Sequence, residues 1–180
     1  MKKTGIFGGS FNPIHKGHIS LARQLREKAG LDEVWLMVSP QNPLKQSSDL
    51  LDDNIRMQMV QLALQNEPHI IASDYEMYLP KPSYTWNTLQ ALSKDYPDRE
   101  FVLLIGGDNW VLFDKWYHHE DIQKNYRIVV YPRTPGEPGF INISSTDIRQ
   151  RIKAGKGIRR MVPKVVADFI EEKGLYRSEK

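Results

Sequence analysis

The chain contains no cysteine, so a disulfide framework and a thiolate zinc site are both excluded. No apolar run approaches the roughly 20 residues that a membrane-spanning helix needs. The N-terminus MKKTGIFGGS has two lysines but no long apolar stretch behind them, unlike a secretory signal. Neither sign of charge dominates, with 25 Lys and Arg against 22 Asp and Glu and a net charge of +3. That excess is too small to argue for nucleic-acid binding. The two common phosphate loops are missing as well: no G-x-x-x-x-G-K-[ST] occurs, and GIFGGSFN does not fit G-x-G-x-x-G. Internal repeats, low-complexity tracts and interdomain linkers are also lacking. The expectation is a soluble, cytoplasmic protein with no nucleic-acid partner and no membrane partner. Monomer and homo-oligomer are both left open.

What is present begins at Thr4. Residues 4–18 read TGIFGGSFNPIHKGH. Ile6-Phe7 reads as the end of a buried strand, and Gly8-Gly9-Ser10 as its break. Asn12-Pro13 predicts a turn, because a residue before proline is pushed out of the helical region. Ile19, Ala22, Leu25 and Ala29 recur at helical spacing, so a helix starts near His18. A strand that ends in glycines and feeds a helix N-terminus can hold phosphate, because the backbone approaches closely and its N–H groups point at the anion. His15 and His18 sit three apart at that turn and can face one ligand. The helix dipole opposes positive charge there, so such a histidine stays neutral and donates one hydrogen bond.

Downstream, apolar runs alternate with helical patterns. Val34–Val38 and Phe101–Ile105 are continuous apolar runs of strand length, buried on both faces. Further strands are expected at 69–72, 126–131 and 140–143. Helices are expected at about 52–66, with Ile55, Met59, Leu62 and Ala63 on one face, and at 84–96, with Trp86, Leu89 and Leu92 inward. Ser145 or Thr146 should cap another helix that reaches Ala154. A last helix covers 163–173 with Val166, Phe169 and Ile170 apolar. This order predicts an α/β fold: a doubly wound parallel sheet within one domain spanning 1–180. Ligand-binding residues should follow the strands. The residues placed there are Lys45, Gly106-Gly107-Asp108, Trp116-Tyr117, Arg133 and the segment ISSTDIR at 143–149. Taken alone, Lys45 also reads as an exposed loop lysine, Asp108 as a helix cap, and ISSTDIR as a capping segment with a surface arginine.

GGSFNPIHKGH resembles the signature of the H-x-G-H nucleotidyltransferases, and the stretch is most similar to bacterial nicotinate-mononucleotide adenylyltransferases. The resemblance extends from Gly8 to the C-terminal VPKVVADFIEEKGLY. It implies a Rossmann-like nucleotidyltransferase fold. It also implies adenylyl transfer from ATP to nicotinate mononucleotide, within NAD biosynthesis, with Mg2+ arriving on ATP. Catalytic roles are implied for His15, His18, Lys45 and Arg149. ATP contacts are implied for Gly8, Gly9, Ser10, Phe11, His18, Gly106, Asp108, Ser145, Thr146 and Arg149. SYTWNTL at 83–89 resembles the family's SYT-x-x-TL and assigns Thr85 to the mononucleotide, with Asp108, Trp116 and Tyr117. The aligned tryptophan stacks on the pyridine ring in that family. The chain departs from the family at Leu44, where a histidine is usual before Lys45, at Gly107 for alanine, and at Thr134, which interrupts an Arg-Pro-Gly after Arg133. Arg56 and Glu76 fall near family positions, but their local spacing demands no function, and Arg56 reads as a helix-surface residue.

Other readings differ at particular residues. Pantetheine phosphate as acceptor is opposed by Trp116-Tyr117 and the SYT segment. Nicotinamide mononucleotide remains a competitor for the acid. A non-catalytic nucleotide sensor would not need His15, His18 and Arg149 intact. HKGH is similar to the HIGH signature of class I aminoacyl-tRNA synthetases, but the chain is too short and has no KMSKS-like loop. A zinc site at His15 and His18 lacks a third ligand.

Overall fold

The computed structural model describes residues 1–40, 49–132 and 142–177. Five strands, β1 (Lys2–Gly9), β2 (Glu33–Val38), β3 (Ile70–Ser73), β4 (Arg99–Gly106) and β5 (Arg127–Tyr131), form one sheet in the order β3-β2-β1-β4-β5. Every neighbouring pair is parallel. The order reverses at β1, which pairs with β2 on one side and β4 on the other. A reversal of this kind opens a crevice at the carboxyl ends of the strands.

The helices are α1 (Lys16–Lys28), α2 (Asp53–Leu64), α3 (Thr85–Asp95), α4 (Gly107–Val111), α5 (His119–Asn125), α6 (Ser145–Lys153) and α7 (Lys164–Lys173). The continuous apolar runs conceal a period of two. Phe7, Val34, Leu36, Val38, Val102 and Leu104 point into one core, which they share with α1, α2, α6 and α7. Ile6, Trp35, Met37, Phe101, Leu103 and Ile105 point into the other, with Leu89 and Leu92 of α3 and Ile122 of α5. Both faces of the sheet are therefore covered, as a doubly wound fold requires. Leu89, Leu92 and Ile122 are fully buried. Each such side chain removed from water contributes about 1.5–3 kcal/mol.

The structure shifts several expected boundaries. β1 does not break at Gly8-Gly9-Ser10; it continues to Gly9, whose partner on β2 is Val38. Glycine tolerates extended backbone, and the ladder holds it there. α1 begins at Lys16, before His18, because His15 caps it. On α2 the buried face is Arg56, Met57, Met59, Val60 and Leu64, while Ile55, Leu62 and Ala63 are only partly covered. The loop 74–83 contains a short 3-10 turn at Tyr75–Tyr78. Of the strand expected at 140–143, Asn142 and Ile143 are not in a strand, and Phe140 and Ile141 lie outside the described residues. Among the described residues no helix is long and apolar enough to cross a membrane.

Candidate active site

Two clefts open at the carboxyl edge of the sheet and meet at Gly8, Gly9 and Tyr131, which line both. Each has a volume of about 430 Å³.

One cleft lies over the β1–α1 loop and α6. It brings together Gly8, Gly9, Ser10, Phe11, His15, His18, Ser145, Thr146 and Arg149. His15 and His18 form a reciprocal cap at the start of α1. His15 Nδ1 accepts from Gly17 N at 3.0 Å and from His18 N at 3.3 Å. His18 Nδ1 accepts from His15 N at 3.1 Å. The rings stack with centroids 3.6 Å apart. Because both Nδ1 atoms accept, the ring proton of each imidazole lies on Nε2. The sequence pattern thus yields two Nε2–H donors on a helix N-terminus that has no acidic residue in its first turn. Phe11 adopts a left-handed φ of 47°. A bulky residue tolerates this only when its surroundings fix it; here the ring is buried, 4.9 Å from His18 and 5.8 Å from Phe7.

The N-terminus of α6 is tied to the same loop. Its cap is Ser144, whose hydroxyl accepts from Asp147 N at 3.0 Å, and not Ser145 or Thr146. Ser145 donates its hydroxyl proton to Pro13 O at 2.8 Å. Arg149 Nη1 donates to Asn12 O at 2.8 Å, and Nη2 to Thr146 Oγ1 at 3.3 Å. Arg149 and His18 therefore face one cleft from opposite elements.

The other cleft lies between α3 and the ends of β1, β2 and β4. Its wall includes Glu76, Ser83, Thr85, Thr88, Gly106, Asn109 and Trp116. α3 has no side-chain cap at Tyr84. Ser83 Oγ is buried with no hydrogen-bond partner among the described residues, so Ser83 is not the helix cap. Trp116 is partly buried, with its ring 5.3 Å from Phe113. Tyr117 stays outside the cleft and packs on Tyr84 at 4.9 Å. Asp108 is exposed in the first turn of α4 and lines neither cleft. Lys45 and Arg133, and Leu44 beside Lys45, lie outside the described residues.

Three residues that local sequence reasoning passes over build the site. Arg56 is fully buried and is not on the helix surface. Its Nε donates to Leu51 O, and Nη1 to both Ser10 O and Ser39 O, each at 2.8 Å. Nη2 pairs with Asp53 at 2.5 Å. One planar guanidinium thus clamps the chain after β1 to the chain after β2. Burial lowers its pKa, and Asp53 opposes that shift. The signal was its spacing: Arg56 precedes Met59 and Val60 by three and four positions and so lies on their stripe. Asn12 is also buried. Its side chain donates to Asp49 O at 2.8 Å and accepts from Leu51 N at 3.3 Å and from the Tyr176 hydroxyl at 2.5 Å. Glu76 accepts a hydrogen bond from Thr88 Oγ1 at 2.7 Å. Burial pushes its carboxyl above the ordinary range.

A parallel sheet with a glycine-ended first strand, a two-histidine helix cap and a serine-capped second helix facing it is the arrangement of a nucleotidyltransferase. The family model described as cytidylyltransferase-like matches residues 6–151, and the chain belongs to that family. It is 47% identical to a protein of Bacteroides fragilis named a probable nicotinate-nucleotide adenylyltransferase, over 94% of this chain and 92% of the relative. A Bacteroides thetaiotaomicron protein of the same name is also 47% identical, over 94% and 91%. A solved Vibrio parahaemolyticus protein, provisionally named nicotinate-nucleotide adenylyltransferase, superposes with a TM-score of 0.79 at 29% identity, over 99% of this chain and 98% of that one. The fold is shared with a Plasmodium falciparum nicotinic acid mononucleotide adenylyltransferase complexed with NaAD, at a TM-score of 0.75, 19% identity and 98% coverage of both chains.

Proposed function

We propose that the protein, read as one nucleotidyltransferase domain over residues 1–180, transfers the adenylyl group of MgATP to nicotinate mononucleotide. The products are nicotinate adenine dinucleotide and pyrophosphate. The observation that carries this reading is the meeting of the two clefts at Gly8 and Gly9. One cleft has the donors for a triphosphate, and the other has an indole and a helix N-terminus suited to a flat, anionic pyridine. The names of the relatives agree with it.

A phosphate oxygen of the mononucleotide attacks the α-phosphorus of ATP in line. The new P–O bond forms as the bond to the β-phosphate oxygen breaks, and pyrophosphate leaves with that electron pair. No covalent enzyme intermediate is needed. Catalysis of this kind rests on positioning and charge stabilisation. The Nε2–H groups of His15 and His18, the Arg149 guanidinium, the backbone N–H groups of residues 8–11 and the N-terminus of α6 face the triphosphate. Lys45 is assigned a further positive charge for the triphosphate. Thr85 and Trp116 receive the pyridine, with Tyr117 beside them, and Asp108, exposed at the start of α4, is assigned to the ribose hydroxyls. Among the described residues no group of three or more His, Asp or Glu side chains converges to hold a metal, so the divalent cation is treated as part of the nucleotide substrate.

The test supplies ATP and Mg2+ with nicotinate mononucleotide, nicotinamide mononucleotide or pantetheine phosphate, and identifies products by mass together with pyrophosphate release. Transfer is expected to be fastest with the acid, whose product is nicotinate adenine dinucleotide. Product from pantetheine phosphate alone, or from none of the three, overturns the reading.

A further inference from the structure

Glu76 stands in the wall of the cleft assigned above to the mononucleotide, on the 3-10 turn after β3. It makes no ion pair among the described residues; Lys81, the other charged residue in that wall, gives its ammonium to Met77 O. The polar partner of Glu76 is Thr88, which is buried one turn into α3. The Thr88 hydroxyl has one proton and two acceptors within reach: Glu76 Oε2 at 2.7 Å and Tyr84 O at 3.2 Å. Tyr84 is the N-cap of α3, and its carbonyl already receives the first helical bond, from Thr88 N at 3.0 Å. A threonine hydroxyl that bonds back to the i−4 carbonyl competes with that helical bond and bends the helix. The shorter contact is the one to Glu76, which draws the proton there. The turn protected in this way is the one that presents Ser83 and Thr85 to the cleft.

We propose that Glu76 is a positioning residue for the mononucleotide: by holding the Thr88 hydroxyl away from the Tyr84 carbonyl, it keeps the first turn of α3 in the geometry that binds the pyridine nucleotide. The proposal rests on the assignment of this cleft to the mononucleotide. Glu76 acts through Thr88 and α3, and the ATP cleft, which Glu76 does not line, is unaffected.

The experiment compares the parent protein with Glu76→Ala, Glu76→Gln, Thr88→Val and Glu76→Ala/Thr88→Val. Calorimetry gives binding of nicotinate mononucleotide, and steady-state kinetics gives KM for each substrate. Glu76→Ala frees the Thr88 hydroxyl to bond back to Tyr84 O and weakens mononucleotide binding about tenfold, whereas Thr88→Val has no hydroxyl to bond back and keeps most of the parent's affinity. KM for ATP stays within about twofold. Glu76→Gln keeps an acceptor oxygen and recovers most of the lost affinity. The double variant likewise lacks the hydroxyl and regains most of the affinity that Glu76→Ala loses. Equal losses for both substrates, a double variant as weak as Glu76→Ala, or a Gln variant as weak as the Ala variant would overturn the proposal. The Gln and Val variants preserve shape and keep the test decisive if Glu76→Ala folds poorly. A parent protein that does not bind nicotinate mononucleotide at all removes the assigned function; one that binds it, with variants that bind equally well, removes this inference alone.

Discussion

The Tyr176 hydroxyl donates to Asn12 Oδ1 at 2.5 Å, across a sequence separation of 164 residues. It joins the turn after α7 to the loop between β1 and α1. Burial raises the tyrosine pKa, so the hydroxyl keeps its proton. Asn12 O in turn accepts from Arg149, so the C-terminal turn supports an arginine of the cleft proposed for the triphosphate. Tyr176→Phe should cost about 1 kcal/mol of stability and raise KM for ATP more than KM for the mononucleotide. Urea denaturation and steady-state kinetics measure the two effects. Unchanged values for both would show that the hydroxyl contributes nothing.

His18 has two separable jobs. Its Nδ1 accepts from His15 N, and the residue lines the cleft proposed for the triphosphate. His18→Asn retains a side-chain acceptor near the δ position and removes the ε donor. Turnover should fall about 10²–10³-fold, as for other donors that act on a transition state. Melting should recover in His18→Asn relative to His18→Ala, because only the alanine also loses the cap. An Asn variant with near-parental kcat would make His18 a turn residue and nothing more.

At Gly8 a methyl group would meet no atom within 4 Å, yet the residue lines both clefts. Gly8→Ala should therefore fold normally and lose activity, since about 1 Å of displacement between reacting groups can cost about 10²-fold. Circular dichroism with kcat/KM for each substrate checks this. A fully active variant would show that the reacting phosphates do not pass close to Gly8.

Trp116→Ala should raise KM for both the acid and the amide mononucleotide and leave KM for ATP nearly unchanged, because stacking serves either ring. Part of the ring packs on Phe113, so thermal melting is recorded alongside the kinetics. An unchanged mononucleotide KM would return Trp116 to the core.

Burial holds the Glu76 carboxyl above its ordinary value of 4.5, and the Thr88 bond only partly offsets this. A carboxyl whose pKa is raised on folding favours the folded state at low pH. That advantage is lost as pH rises through the folded value. Glu76→Gln does not titrate there. Its stability relative to the parent should therefore increase as pH rises from about 4.5 toward neutrality. Urea midpoints at several pH values follow this difference; a flat or falling difference contradicts it.

The layout of the sheet was legible because strand burial is written locally. Phe101–Ile105 is apolar at every position, since alternate residues serve opposite cores. The turn from β1 into α1 was legible through a motif, which also brought His15 and His18 together at the start of α1. Arg56 was misread because charge was weighed before spacing, and its partners are carbonyls at positions 10, 39 and 51. Nothing in sequence locality connects Asn12 with Tyr176. The early start of α1 was missed because imidazole is not among the usual capping groups; here His15 does the work of a serine. Trp116 and Tyr117 read as a pair, but the chain turns between them, so that only the first lines the cleft.

Gly8, Gly9 and Tyr131 belong to both clefts, so the two binding events share one seam. A molecule that occupies the seam while reaching into both sides excludes either substrate alone. The dinucleotide product has that shape and should compete with ATP and with the mononucleotide alike. A synthetic ligand that joins a pyridine acid to an adenylate through a linker spanning the seam converts its second contact into an intramolecular one. Effective concentrations for short linkers are on the order of millimolar, so its affinity gains over either half without any new contact.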